Sequence, residues 1–208
     1  MRELLEKIIE AMSDEQERYF IERMNKHIEL VQAAINEIVR KFPEFEKELV
    51  TRGWKHDASK FEEPERTPYV SITWRHKLEK EKDGFDSYRD KGYQRPGLLP
   101  NKEENDATLH HILNNDHHPE YWLEDKSKAD INAQDRDKSD FCVDASRMPP
   151  IAIAEMVADW QAMAWELGTN TAREWYDKQK DARWHFSEEQ DKLIDELLKV
   201  FEVEEGIK

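Results

Sequence analysis

The stretch MPPIAIAEMVADWQAMAWELG, residues 148–168, decides the fold class. Ile153, Met156, Val157, Trp160, Met163, Ala164 and Leu167 recur three and four positions apart, the spacing that gathers side chains on one face of an α-helix. Met148-Pro149-Pro150 introduces this helix and Gly168 ends it. Asp159 sits at the margin of the apolar stripe, where a carboxylate is costly unless it is paired or bound to a cation.

The same period extends to the rest of the chain. Residues 14–41 contain no Pro or Gly, and Met24, Ile28, Val31, Ile35 and Ile38 repeat at three and four. His27 lies on that stripe, so it points toward the core. Pro43 opens a second helix, which Gly53 breaks. A helix is expected over 69–82, then a loop-rich insertion marked by Gly84, Gly92, Pro96, Gly97 and Pro100; the whole insertion spans about 62–105. Residues 102–114 form the next helix, and Pro119 makes a helical continuation through His118 unfavourable. Residues 124–147 are polar and read as a surface excursion. Two helices, about 171–180 and 187–203, close the chain, the second starting on the capping-box pattern Ser187-Glu188-Glu189-Gln190. The expectation is one all-α domain over residues 1–208, with no internal repeat.

Composition agrees with that reading and narrows the partners. The chain has 208 residues, 38% apolar and 38% charged, yet its seven Trp, eight Phe and six Tyr supply enough buried area for a core. A net charge of −15, with no basic run, opposes stable binding to duplex nucleic acid or to anionic membranes, while a small anionic substrate stays compatible with a metal site. Cys142 is the only cysteine, so a thiolate-rich zinc site is excluded. No apolar run suits a membrane span, and a charged start suits no signal peptide. A cytoplasmic protein is expected.

Five of the eight histidines fall in His56-Asp57, His110-His111 and His117-His118. Imidazole and carboxylate are natural ligands for Mn, Fe, Co, Ni or Zn. Adjacent residues on a helix point about 100° apart, so one member of each His pair is expected to ligate and the other to orient a ligand or meet substrate. His111 and His118 are the preferred ligands. His76 and His185 lie outside these motifs and read as surface residues.

The order His27, His56-Asp57, intervening histidines, then Asp159 resembles the HD-domain superfamily of metal-dependent hydrolases. Three stretches are more specific: His56-Asp57-Ala58-Ser59-Lys60-Phe61; Leu109-His110-His111 through His117-His118-Pro119-Glu120-Tyr121-Trp122; and Met148-Pro149 through Asp159. They look like an uncharacterised family of bacterial and phage proteins. Lys60 stands where some superfamily nucleotidases carry an acid, and it resembles the Lys of His-Asp-x-Gly-Lys in the two-metal branch.

The resemblance implies an HD-like helical bundle with one or two divalent ions at His27, His56, Asp57, His111, His118 and Asp159. It implies catalytic roles for Lys60, His117 and His118, and substrate contacts for His110, Lys60 and Tyr121. The expected activity is a phosphohydrolase acting on a nucleotide or similar small phosphorylated metabolite, in a chain able to form a homodimer. A di-iron oxygenase on the same ligands and a non-catalytic helical ligand-binding protein are the alternatives.

Overall fold

The computed structural model describes residues 2–83, 102–129, 142–168 and 172–202. Among these, seven α-helices carry the fold: α1 (Arg2–Lys41), α2 (Glu46–Gly53), α3 (Arg66–Asp83), α4 (Lys102–Asn114), α5 (Pro150–Glu166), α6 (Arg173–Gln179) and α7 (Glu188–Leu198). Short 3-10 turns join them, and the two-residue strands β1 (Val143–Asp144) and β2 (Trp184–His185) pair in parallel. The fold is all-α. Among the described residues no helix is long and apolar enough to cross a membrane.

Helix α5 is the centre of the molecule. Residues 152–158 are all buried, Glu155 included, so two turns near its start are enclosed on every side and only the later residues show the one-sided stripe. It lies along α1, whose Val31, Ala34, Ile35 and Ile38 belong to the same apolar core. Trp160 stacks on Trp184 with ring centroids 5.2 Å apart. Gly168, at φ 75°, ends the run in the left-handed conformation that glycine adopts without penalty.

Gly53 shows how the second helix is seated. A Cβ there would come within 2.5 Å of Ile35 Cδ1, so glycine lets the end of α2 rest on α1 without displacing the Ile35 side chain. That contact fixes the start of the turn carrying His56 and Asp57.

The helix expected over 69–82 is α3, three residues longer at its start, and it packs on α1 and α4. Its Tyr69 joins Phe20, Met24 and Ala107 in a second small apolar cluster. The glycines and prolines that suggested a loop fall at 84–101, outside the described residues. One stretch differs from the sequence reading: the surface excursion expected over 124–147 is partly core. Val143, Ala145 and Met148 are buried. Gln190 Nε2 donates to the carbonyls of Ala145 (3.1 Å), Ser146 (3.2 Å) and Met148 (2.7 Å). A strand of two residues is too short to leave an alternating pattern, which is why periodicity missed it. The rest of that stretch, 130–141, lies outside the described residues.

Candidate metal centre

Five imidazoles and two carboxylates from five parts of the chain converge on one buried point. α1 supplies His27, α4 His111 and α5 Asp159. The turn after α2 supplies His56 and Asp57, and the turn after α4 supplies His117 and His118. Asp57 has a left-handed backbone (φ 58°), a conformation aspartate tolerates better than most residues. The reversal lets His56 and Asp57 face the same place although they are neighbours in sequence.

Asp57 is the hub. Its Oδ2 lies 3.8 Å from His56 Nε2 and 3.9 Å from His27 Nε2. Its Oδ1 lies 3.1 Å from His111 Nε2 and 3.8 Å from His117 Nε2. Asp159 Oδ1 is 3.1 Å from His27 Nε2 and 3.8 Å from His56 Nε2. Three sets have ligand atoms all within 4.8 Å of one another: His27, His56 and Asp57; His56, His117 and Asp159; and His111, His117 and His118. A cation about 2.0–2.2 Å from each ligand spaces its donors roughly 3–4 Å apart, so these sets are of the right size to hold one.

The donor atoms could hold an ion. The Nε2 atoms of His56, His111, His117 and His118, with Asp57 Oδ1, are buried and form no hydrogen bond. Buried polar atoms are nearly always paired, so a group of unpaired donors in one place is a candidate site for an ion. The opposite ring nitrogens meet carboxylates. His56 Nδ1 is 2.9 Å from Glu155 Oε1, and His117 Nδ1 is 3.6 Å from the same oxygen. His111 Nδ1 is 2.8 Å from Glu65 Oε2, and His27 Nδ1 is 3.6 Å from Glu166 Oε2. Carboxylates behind imidazoles fix ring orientation and tautomer, the usual support of metal-ligating histidines.

A further layer holds these carboxylates. Arg52 donates to Glu155 Oε2 at 2.6 Å and grips both oxygens of Asp116, the residue before His117. Arg23 donates to Glu166 at 3.0 Å. Ser59 donates to Glu65 Oε2 at 2.9 Å.

The charges follow from this packing. Burial works to raise Asp57, but Lys60, His56 and His111 outweigh it and hold the carboxyl well below its usual range. Asp159 is likewise held low against its burial, by His27 and His56. For His56, burial works downward, yet Asp57, Asp159 and Glu155 together push it up to about 10. His117 and His118 go the other way. Burial, with the neighbouring imidazoles, holds both well below the ordinary histidine value.

Every metal-ligand position expected from sequence lies in this cluster. His117, given a catalytic role by the sequence reading, belongs to two of the three donor sets. The rule that only one member of each His pair points inward does not apply at His117-His118, whose ring centroids are 4.3 Å apart and which both face the centre. The reason is local: the pair is in a turn, and His118 is extended (φ −94°, ψ 134°). His110 follows the rule. It lies at the rim, 41% exposed, with Nδ1 2.7 Å from Glu65 Oε1. Lys60 reaches the centre, its Nζ 2.6 Å from Asp57 Oδ2. Tyr121 packs against Trp122 and under the ammonium of Lys126, so its recorded partners are structural.

The sequence reading missed Glu155, Glu65, Glu166, Arg52 and Asp116. One of them left a signal: Glu155 is four residues before Asp159, hence on the same helix face, and stands within an otherwise apolar run.

The sequence model of a family of unknown function (DUF5662) matches residues 16–200. No curated protein and no solved structure matches the chain.

Proposed function

We propose, for a chain that belongs to the DUF5662 family of unknown function, a metal-dependent phosphohydrolase acting on a nucleotide or similar small phosphorylated metabolite. The observation that carries the reading is the set of buried, unpaired imidazole nitrogens around Asp57, backed by carboxylates on their far sides.

A nitrogen and carboxylate donor set without thiolate suits Mn, Fe, Co, Ni or Zn. His27, His56, Asp57 and Asp159 would hold one ion. Asp57, which turns its other oxygen toward His111 and His117, favours a second ion shared with those residues and His118. When bound, such ions would supply an activated water and neutralise phosphate oxygens. The order of these ligands along the chain supports kinship with the HD-domain superfamily.

The chain's own residues do the remaining work. Glu155, Glu65 and Glu166 hold the imidazoles so that little reorganisation is needed. Lys60 brings an ammonium to Asp57 and is the natural contact for an anionic substrate. His110, half-exposed above Glu65, offers its outer nitrogen at the rim. His118 Nε2 is buried without a hydrogen bond among the described residues, which suits a group that ligates or passes a proton to a leaving oxygen. A cytoplasmic setting and a homodimer are compatible with this reading.

Metal content of the purified protein, followed by phosphate release from nucleoside mono-, di- and triphosphates with each metal, tests the proposal. Metal-dependent release is the expected result. A metal-loaded protein that hydrolyses none of them removes the phosphohydrolase reading. The nitrogen-rich set around a carboxylate facing two ways also suits a pair of irons. Iron content with a mixed-valent signal that oxygen abolishes would turn the reading to an oxygenase.

A further inference from the structure

The ammonium of Lys60 rests 2.6 Å from Asp57 Oδ2. That is the oxygen facing His56 at 3.8 Å and His27 at 3.9 Å. The pair is local: Lys60 lies three residues after Asp57 on the 3-10 turn Ala58–Phe61, so the turn that delivers the carboxylate also delivers its counter-charge. From the other side, Nζ sits 5.0 Å from the centroid of the Tyr69 ring, a second favourable station for a cation. The side chain is 16% exposed, whereas those of His56 and Asp57 are 0% and 2% exposed. Lys60 therefore stands between the buried donors and the outside.

A divalent ion drawn to His27, His56 and Asp57 meets this ammonium at the same oxygen. Two positive charges at contact distance repel strongly in a poorly solvated site. One must yield, and the lysine has a flexible four-carbon stem on which to do so. We propose that Lys60 is a built-in counter-cation of Asp57 which competes with the metal ion and, once displaced, becomes the contact for the anionic group of the substrate. The proposal rests on the metal-dependent reading above. It makes binding ordered: the ion enters first, and its entry frees the ammonium that an anion needs. Substrate without metal finds Lys60 already engaged.

The test compares Mn²⁺ affinity of the wild type with Lys60→Met, which keeps the stem and removes the charge, and with Lys60→Arg, which keeps the charge. Calorimetry should show Lys60→Met binding Mn²⁺ about tenfold or more tightly, given what a unit charge at contact distance is worth in a dielectric of about 20. Lys60→Arg should stay near wild type. Inorganic phosphate should bind the Mn²⁺-loaded wild type, but neither the metal-free protein nor loaded Lys60→Met. Unchanged or weaker metal binding by Lys60→Met overturns the proposal, as does equal tightening in Lys60→Arg.

A measurement on the wild type alone guards against a variant that does not fold. Acetylation of Lys60 by acetic anhydride, read by mass spectrometry against the 86%-exposed Lys102, should rise several-fold when Mn²⁺ is added. Labelling that stays constant overturns the proposal. If the wild type takes up no metal, the functional reading fails with it. If it does, and Lys60→Met binds no tighter, only this inference fails.

Discussion

Helix α5 serves two regions held together by different physics. Toward the donor centre it presents Glu155 and Asp159; toward the apolar core it presents Ile153, Met156 and Val157, packed with Tyr176, Trp184, Ile194, Leu197 and Leu198. The apolar region is held by area and close packing, so its residues contribute separately and a swap of similar volume costs little. The centre is held by reciprocity. His27, His56, His111 and His117 each have a carboxylate, each of these carboxylates has a cation or imidazole, and removing one group leaves its partners buried and uncompensated. One region tolerates change that the other does not, within a single helix.

The largest expected effect is at the hub of the centre. Asp57→Ala leaves Lys60 without its paired carboxylate and His56 with one carboxylate fewer, and should destabilise the metal-free protein by about 3–5 kcal/mol, as breaking a buried ion pair does. It should also abolish metal uptake. Denaturant unfolding and metal analysis check both, and a variant that unfolds like wild type and still loads metal breaks the picture of a reciprocal centre. Next comes Ile153→Ala, which opens a cavity at a fully buried position and should cost about 2–5 kcal/mol. Metal affinity of the folded fraction should stay within a few-fold of wild type. A larger loss would mean that packing on that side of α5 sets the geometry of Glu155 and Asp159.

The two regions also differed in how far the sequence revealed them. Periodicity exposed α1 and α5 because a 3.6-residue repeat persists over many turns, and it exposed His27 and Asp159 because each sits at a position where a polar group is costly. The support behind the ligands left little trace. Glu155 is one of three acids in an alanine-rich helix, and its burial follows only once α1, α2 and α5 pack together. Glu65 comes from a turn, where no period applies. The His117-His118 pair was misjudged by helix geometry although Pro119 already marked the departure from helix. Pairs that meet at separations such as Arg52 to Glu155 or Glu65 to His111 are properties of the packed chain.

The supporting carboxylate is the next test in size. Glu155→Gln keeps the shape but weakens the hold on His56 and His117 together, so metal affinity should fall roughly 10–100-fold. A smaller change would leave Arg52 and Asp116 as sufficient anchors of that turn. Acid then acts on the centre alone. His117 and His118 are held well below the ordinary value of 6.5 by burial and neighbouring imidazoles. Below about that pH the unfolded chain binds protons that the folded chain refuses, and the stability contributed above it drains away as pH falls. Each such proton is worth about 1.4 kcal/mol per pH unit at most. His27 and His56, whose values are raised, complete their contribution above this window and do not reverse the slope. Metal-free wild type and Ile153→Ala should therefore lose stability with the same pH slope between 6.5 and 5, measured by urea unfolding. Parallel curves support the separation of the two regions; a flat wild-type curve contradicts the buried neutral pair.

The smallest effect lies at the far edge of the apolar region. Ser187 caps α7: its Oγ accepts from Gln190 N at 3.3 Å, and Gln190 Oε1 accepts from Ser187 N at 2.8 Å. Ser187→Ala removes one half of that box, a loss typically of about 1 kcal/mol. Here the cost should fall at the lower end of the range, because Gln190 keeps its three bonds from Nε2 to the carbonyls of Ala145, Ser146 and Met148 and so still anchors the start of the helix. Since α7 packs on α5 by its apolar side, metal affinity should not change. A denaturant midpoint that shifts slightly, with an unaltered metal titration, is the expected pair of results. A titration that weakens along with the midpoint would mean that the two faces of α5 respond as one body, and that the centre is built by the whole core rather than by its own pairs.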